Sequence, residues 1–146
     1  MIPRFRAWDS VEKKFVEHFF ITDNSLICNM EKPTSDRKFP IPIEKSELIL
    51  MQSTGLKDKN GKEILECDIL EIQGIKMIVK FGSYKYLETS KNNGHILGVL
   101  HDGLGFYVEC INVADPDNIS PFEPETLKNS QIIGNIYKNP ELLEDK

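Results

Sequence analysis

The sequence predicts a mainly β fold with minor α content: an N-terminal β-hairpin, a small, partly open β-barrel-like core and a short C-terminal helix. Three observations predict it. Short runs show period-two alternation of apolar and polar residues, Gly, Asn, Asp and Pro punctuate those runs, and no stretch carries an amphipathic helix of even three turns. A chain of 146 residues hides about 68–70% of the surface its unfolded form exposes, so neither a disulfide nor a metal is needed to hold it. The chain reads as one domain over residues 1–146. Its lobes are a hairpin at 1–30 and a β core at 46–137, with connectors at 31–45 and 113–130.

The first hairpin is predicted from Ile2 to Trp8 and from Phe15 to Ile21, two β-prone segments across the polar break Asp9-Ser10. Phe5 and Ala7 alternate with Arg4, Arg6 and Trp8, which reads as an apolar face opposite a basic face with an aromatic end. Such arginines either protect a sheet edge or form a binding face. Residues 31–45 hold Pro33, Pro40 and Pro42 and read as a connector. Glu47–Ser53 is a buried strand candidate, and Asn60-Gly61 predicts a tight hairpin because both residues accept left-handed backbone. Strands at Asp68–Ile72 and Ile75–Phe81 meet across Gln73-Gly74, with further strands near Tyr84–Glu88 and His95–Leu100. Asp102-Gly103-Leu104-Gly105 reads as a turn into Phe106–Ile111. A second proline-bearing connector ends in a helical turn at Glu125–Asn129. Gln131–Tyr137 is the last strand, and Asn139 caps a closing helix with Pro140 at its first position.

The net charge of −5 is unevenly placed. Residues 101–146 carry nine acids and three bases (−6), leaving 14 acids and 15 bases (+1) in residues 1–100. This acidity argues against general phosphate-driven nucleic-acid binding while leaving room for a local basic face. Lysine outnumbers arginine 15 to 3, which lowers the prior for bidentate phosphate recognition. Cys28, Cys67 and Cys110 lie far apart, without a Cys-x-x-Cys, and read as reduced small hydrophobes. His18, His95 and His101 lack metal-ligand spacing, so no metal or cofactor is expected. Asp115-Pro116-Asp117-Asn118 lacks the glycine and distal glutamate of a helix-loop-helix calcium loop. No run reaches the roughly 18 apolar residues of a membrane span, and the N-terminus lacks the apolar stretch of a secretory signal.

Three motifs in order carry a resemblance. They are Ile2-Pro3-Arg4-Phe5-Arg6-Ala7-Trp8-Asp9, the run from Thr54 to Ile64 with Asp68-Ile69, and Ile133-Gly134-Asn135-Ile136-Tyr137 followed by Asn139–Leu143. Over nearly the whole chain the sequence resembles the YopX family. That resemblance implies a phage or prophage protein in the cytoplasm of a mostly Gram-positive host, with a mostly β, barrel-like fold. It supplies no biochemical activity and no catalytic residues. The family's Glu-Gly-Asp is replaced here by Glu66-Cys67-Asp68, so either the turn needs no positive φ or it is reshaped. Glu66 and Asp68 read as acids that bind nearby backbone N–H groups.

The sequence therefore predicts a non-enzymatic accessory protein: a protein-interaction or self-assembly module whose partner is itself, as a homo-oligomer, or a phage or host protein. The alternative is nucleic-acid binding on a small barrel, with Lys57, Lys59 and Lys62 beside phosphates and Arg4, Arg6 and Trp8 adding charge and a stacking ring. The membrane is not an expected partner.

Overall fold

Among the residues that the computed structural model describes (4–31, 40–92, 94–111 and 119–144), twelve strands account for most of the chain. Ile2-Pro3, most of the first proline-bearing loop and the run Asp115–Asn118 lie outside the described residues. Two compact units divide the chain, Met1–Ser53 and Thr54–Lys146.

In the first unit, β1 (Phe5–Asp9) pairs antiparallel with β2 (Lys14–Val16) through Ala7↔Val16. On its other side it meets the beginning of β6 (Leu48–Lys57), from Phe5↔Gln52 to Asp9↔Leu48. The β1–β2 loop closes on Asp9, which is 2% exposed; its Oδ1 accepts hydrogen bonds from the amides of Val11 (2.9 Å) and Glu12 (3.0 Å). The predicted second strand, Phe15–Ile21, divides at Glu17-His18. There the Glu31 carboxylate accepts both amides, so they leave the ladder. Beyond the break, β3 (Phe19–Ile21) pairs with β4 (Leu26–Asn29), and β4 pairs with β5 (Ile41–Pro42). The end of the predicted 31–45 connector is thus structured: Pro42 sits on an edge strand, where its missing N–H is tolerated, and a 3-10 turn follows at Ile43–Lys45. Ala7, Val16, Ile27 and Leu48 form the buried centre of this unit.

In the second unit, the Thr54 hydroxyl at the end of β6 donates to the carbonyl of Ile64 in β7 (Glu63–Leu65) at 2.7 Å. The main sheet has the order β11-β10-β9-β8-β12, with β8 at Asp68–Ile72, β9 at Ile75–Asn92, β10 at His95–Cys110, β11 at Ile119–Pro121 and β12 at Gln131–Asn135. All its pairings are antiparallel. Ile64, Leu70, Met77, Val79, Val108 and Leu127 form its core. Gln73 (φ 50°) and Gly74 (φ 83°) are both left-handed, the geometry of the two-residue turn expected between β8 and β9.

Four local readings are corrected. Asp102–Gly105 is not a turn but strand, paired with Lys85–Gly82 inside a continuous 16-pair ladder. Asn60-Gly61 is not a two-residue hairpin, because only Gly61 (φ 81°) is left-handed and the loop runs over residues 58–62. The closing helix is a single 3-10 turn, Pro140–Leu143, with Asn139 before it and Pro140 at its first position as expected. Asn139 does not cap that turn with its side chain. Its Oδ1 instead accepts from the amide of Asn135 at 3.2 Å, folding the segment back on β12. A Cβ at Gly134 would lie 2.7 Å from that oxygen and from Leu142 Cδ1, so a side chain there would push both side-chain ends aside. The helical turn before β12 is α1, Pro124–Leu127.

The Glu66-Cys67-Asp68 turn corrects the expectation that it either needs no positive φ or is reshaped: Cys67 itself adopts the left-handed conformation, at 72°. Its backbone is held from both sides, with its N–H donating to Val79 O (2.8 Å) and its carbonyl accepting from Ile136 N (3.1 Å). Asp68, 2% exposed, accepts from the Leu65 amide at 2.9 Å, as expected for an acid beside a turn. A side chain in the left-handed region costs about 1–2 kcal/mol, partly offset by glycine's greater unfolded-state freedom. Cys67→Gly is therefore expected to raise the unfolding free energy by about 1 kcal/mol. Cys67→Ala, which keeps the Cβ, should not. Urea denaturation of the two variants checks this.

Candidate functional site

The sequence singles out six residues, and they fall in both units. Arg4, Arg6 and Trp8 are in the first; Lys57, Lys59 and Lys62 are in the second. Arg4 is exposed and Arg6 is half-buried. The Arg6 guanidinium lies 4.8 Å from the Phe15 ring centroid and its Nη2 donates to Met51 Sδ at 3.3 Å. Trp8 is only 4% exposed and packs edge-on against Phe15 at 4.9 Å. It is a core side chain and offers no ring for a base to stack on. Sequence alternation gives no sign of this, because the second face of β1 is covered as well as the first.

Lys57, Lys59 and Lys62 are exposed around a loop whose organiser is Asp58. At 5% exposure, Asp58 Oδ1 accepts from the amides of Asn60 and Lys62, both at 2.9 Å, and Oδ2 accepts from the Ile132 amide at 3.0 Å. The Lys59 amide donates to Ser130 O at 2.9 Å. Burial pushes the Asp58 carboxyl up, yet the three N–H donors with Lys62 nearby outweigh it and hold the group below the ordinary carboxylate range. Two of the three lysines are thus set on a rigid loop anchored at the start of β12.

A second feature, missed by the sequence reading, is the arm formed by β9 and β10. Among the described residues, β8 covers the edge of β9 only over Ile75–Ile78, and β11 covers β10 only over Tyr107–Glu109. Beyond those positions, among the described residues, each strand's partner strand is the other. Alternation places Met77, Val79, Phe81, Val108 and Phe106 on one face with Leu104, Lys85, Asp102 and Leu100. At the base this face is core: Val79 is 0% and Val108 is 5% exposed. Further out its cover ends. Phe81 is 48%, Leu104 80% and Leu100 64% exposed.

The opposite face carries aromatics. Tyr84 meets Tyr107 at 4.9 Å and Tyr86 at 6.0 Å, and Tyr86 stacks on His101 at 4.9 Å. Tyr84 lies across Gly103, its cross-strand partner, where a Cβ would come within 2.2 Å of the ring. This contact accounts for the glycine, while the ladder holds the Asp-Gly sequence as strand. A groove of about 480 Å³ runs beside Tyr84 and Tyr107. In the first unit an apolar depression of about 490 Å³ lies among Phe5, Phe19, Phe20, Ile43 and Leu50. No three His, Cys, Asp or Glu side chains converge as metal ligands among the described residues, and no helix among them is long and apolar enough to cross a membrane.

An antiparallel sheet with a long hairpin, closed by an aspartate-tied loop, defines a mainly β class of protein without prescribing a chemistry. The family model for YopX protein matches residues 4–144, so the chain belongs to the YopX family. Among solved structures it is similar to protein EF1440 from Enterococcus faecalis, at 25% identity and a TM-score of 0.50 over 99% of both chains. It is also similar in fold to YopX from Bacillus subtilis, a structural genomics target, at 19% identity and a TM-score of 0.50 over 96% of this chain and 97% of that one. No curated protein matches the chain.

Asp58→Ala removes the acceptor of three part-buried amides and should cost about 2–4 kcal/mol. The native carboxyl titrates below its unfolded value near 3.8. Its contribution is therefore complete above that value and is lost as pH falls through the lower, native one. Urea denaturation of both proteins across that acidic range should show their stabilities converging as the pH drops.

Proposed function

We propose that this chain is a non-enzymatic accessory protein of a phage or prophage, working in the host cytoplasm as a protein-interaction module whose contacting element is the β9–β10 arm. The observation that carries this reading is the exposure gradient along one sheet face, from Val79 at 0% to Leu104 at 80%. A two-stranded ribbon without a core is marginal in water, and apolar side chains displayed on it gain from a partner that covers them. Open strand edges add backbone donors and acceptors for the same purpose.

Nucleic-acid binding through Lys57, Lys59, Lys62 and the Arg4/Arg6 strand is less well supported, because the Trp8 ring is buried and Asp58 and Glu63 dilute the charge of the lysine loop. Replacing residues 83–104 by an Asn-Gly turn between the cross-strand partners Gly82 and Gly105 removes the arm without touching the core cluster. The full chain should retain proteins from nuclease-treated host extract that the armless chain does not. Identical retention by both, or tight binding of DNA or RNA at low salt by either, would overturn the reading.

A further inference from the structure

We infer that the open edge of β10 is a strand-addition site for an extended segment of another protein, one that carries an aromatic residue and, three positions later, a Lys or Arg. This rests on the interaction reading above and gives the partner its chemistry. Strand β11 already shows how the edge is used. It lies antiparallel along β10 from Ile119↔Glu109 to Pro121↔Tyr107, after which the chain leaves for α1. The slot in line with it, alongside Leu100 to Gly105, is taken by no strand among the described residues.

The ladder fixes which backbone groups the slot offers. The Ile111 amide donates to Lys76 O at 3.0 Å and extends the β9–β10 pairing by one row. Successive residues of an antiparallel strand turn their N–H and C=O to opposite neighbours, so odd-numbered residues of β10 face β9 and even-numbered ones face the other edge. Val108, which pairs with Ser120 of β11, is of the second kind, and so are Leu104, Asp102 and Leu100. An added strand bonds to these three.

Side chains set the sequence of that strand. On the aromatic face a Cβ at Gly105 would meet nothing within 4 Å, whereas Gly103 is covered by Tyr84. The groove beside Tyr84 and Tyr107 is lined by Ile119 of β11 as well, so it reaches across β10 to the side of the slot. A flat ring opposite Gly105 fills this space, as aromatic side chains do over strand glycines. In antiparallel register the next residue lies opposite Leu104, 80% exposed, and suits an apolar side chain. The residue three positions after the ring lies opposite Asp102, which is exposed and has Lys85 on its β9 side and the slot on its other. A cation there completes a cross-strand pair. No aromatic in this chain is followed three positions on by Lys or Arg, so a second copy does not supply the segment.

Fluorescence polarisation of a labelled Thr/Val peptide carrying Tyr-Leu-Thr-Lys at its centre tests the assignment. The full chain should bind it saturably. N-methylation of the peptide's leucine and lysine amides, which face Leu104 and Asp102, should weaken binding at least about 10-fold. N-methylation of the tyrosine and threonine amides, which face away from β10, should not. Asp102→Lys should reverse the charge preference, so that a peptide with glutamate in place of lysine binds about 5-fold more tightly than the original. That reversal excludes misfolding of the variant. No binding at about 1 mM peptide, equal effects of the two methylation patterns, or a charge preference that Asp102→Lys leaves unchanged overturns the assignment. So does sedimentation velocity if it shows a dimer of the chain that excludes the peptide. If the peptide fails while the arm still retains proteins from extract, only the edge assignment fails; if neither is seen, the interaction reading fails with it.

Discussion

Much of the second unit depends on the Asp58 carboxylate. One oxygen takes two amides of its own loop and the other takes the amide of Ile132, 74 residues away in sequence. A charged acceptor with three N–H donors is among the stronger interactions a protein can hold. It replaces the hydration that burial removes, so the carboxyl stays ionised at 5% exposure. By fixing where β12 begins, it also sets that strand against β8, the pairing that runs from Gln131↔Glu71 to Asn135↔Asp68. Asp9 does a smaller version of the same work in the β1–β2 loop of the first unit.

Order in this protein therefore comes from side chains that capture backbone amides as much as from apolar packing. Glu31 ends β2 by taking two amides out of the ladder, and Asn139 turns the last segment back onto β12. Each is a short-range device with a long-range result, because a strand's register fixes which of its side chains face the core. The arm is the exception. Its ladder continues that at its base, but among the described residues no layer covers it. The same face thus changes from core to surface within a few residues, with the Phe81–Phe106 contact at 4.9 Å at the crossing point.

How much of this could be read in the sequence varies with the range of the interaction. The Gln73-Gly74 turn and the strands at 68–72 and 75–81 follow from φ preferences and period-two alternation, which act between neighbours. Asp102-Gly103 misled the reading, because a dipeptide cannot reveal that Tyr84 from the opposite strand covers the glycine. Trp8 misled it too: alternation assigns faces to a strand but cannot say how many of those faces are buried. Asp58 looked like a dilution of a basic loop, since its decisive partner is the amide of Ile132.

The sequence by itself determined the mainly β class, the family and most strand positions, because these depend on local stereochemistry. Only the tertiary structure decided that Cys67 is left-handed, that Trp8 is core and that Asp58 ties a loop to a distant strand. It also decided that one face of a long hairpin is left to water. Burial and hydrogen-bond partnership are properties of what packs alongside, and chain neighbours carry no record of it.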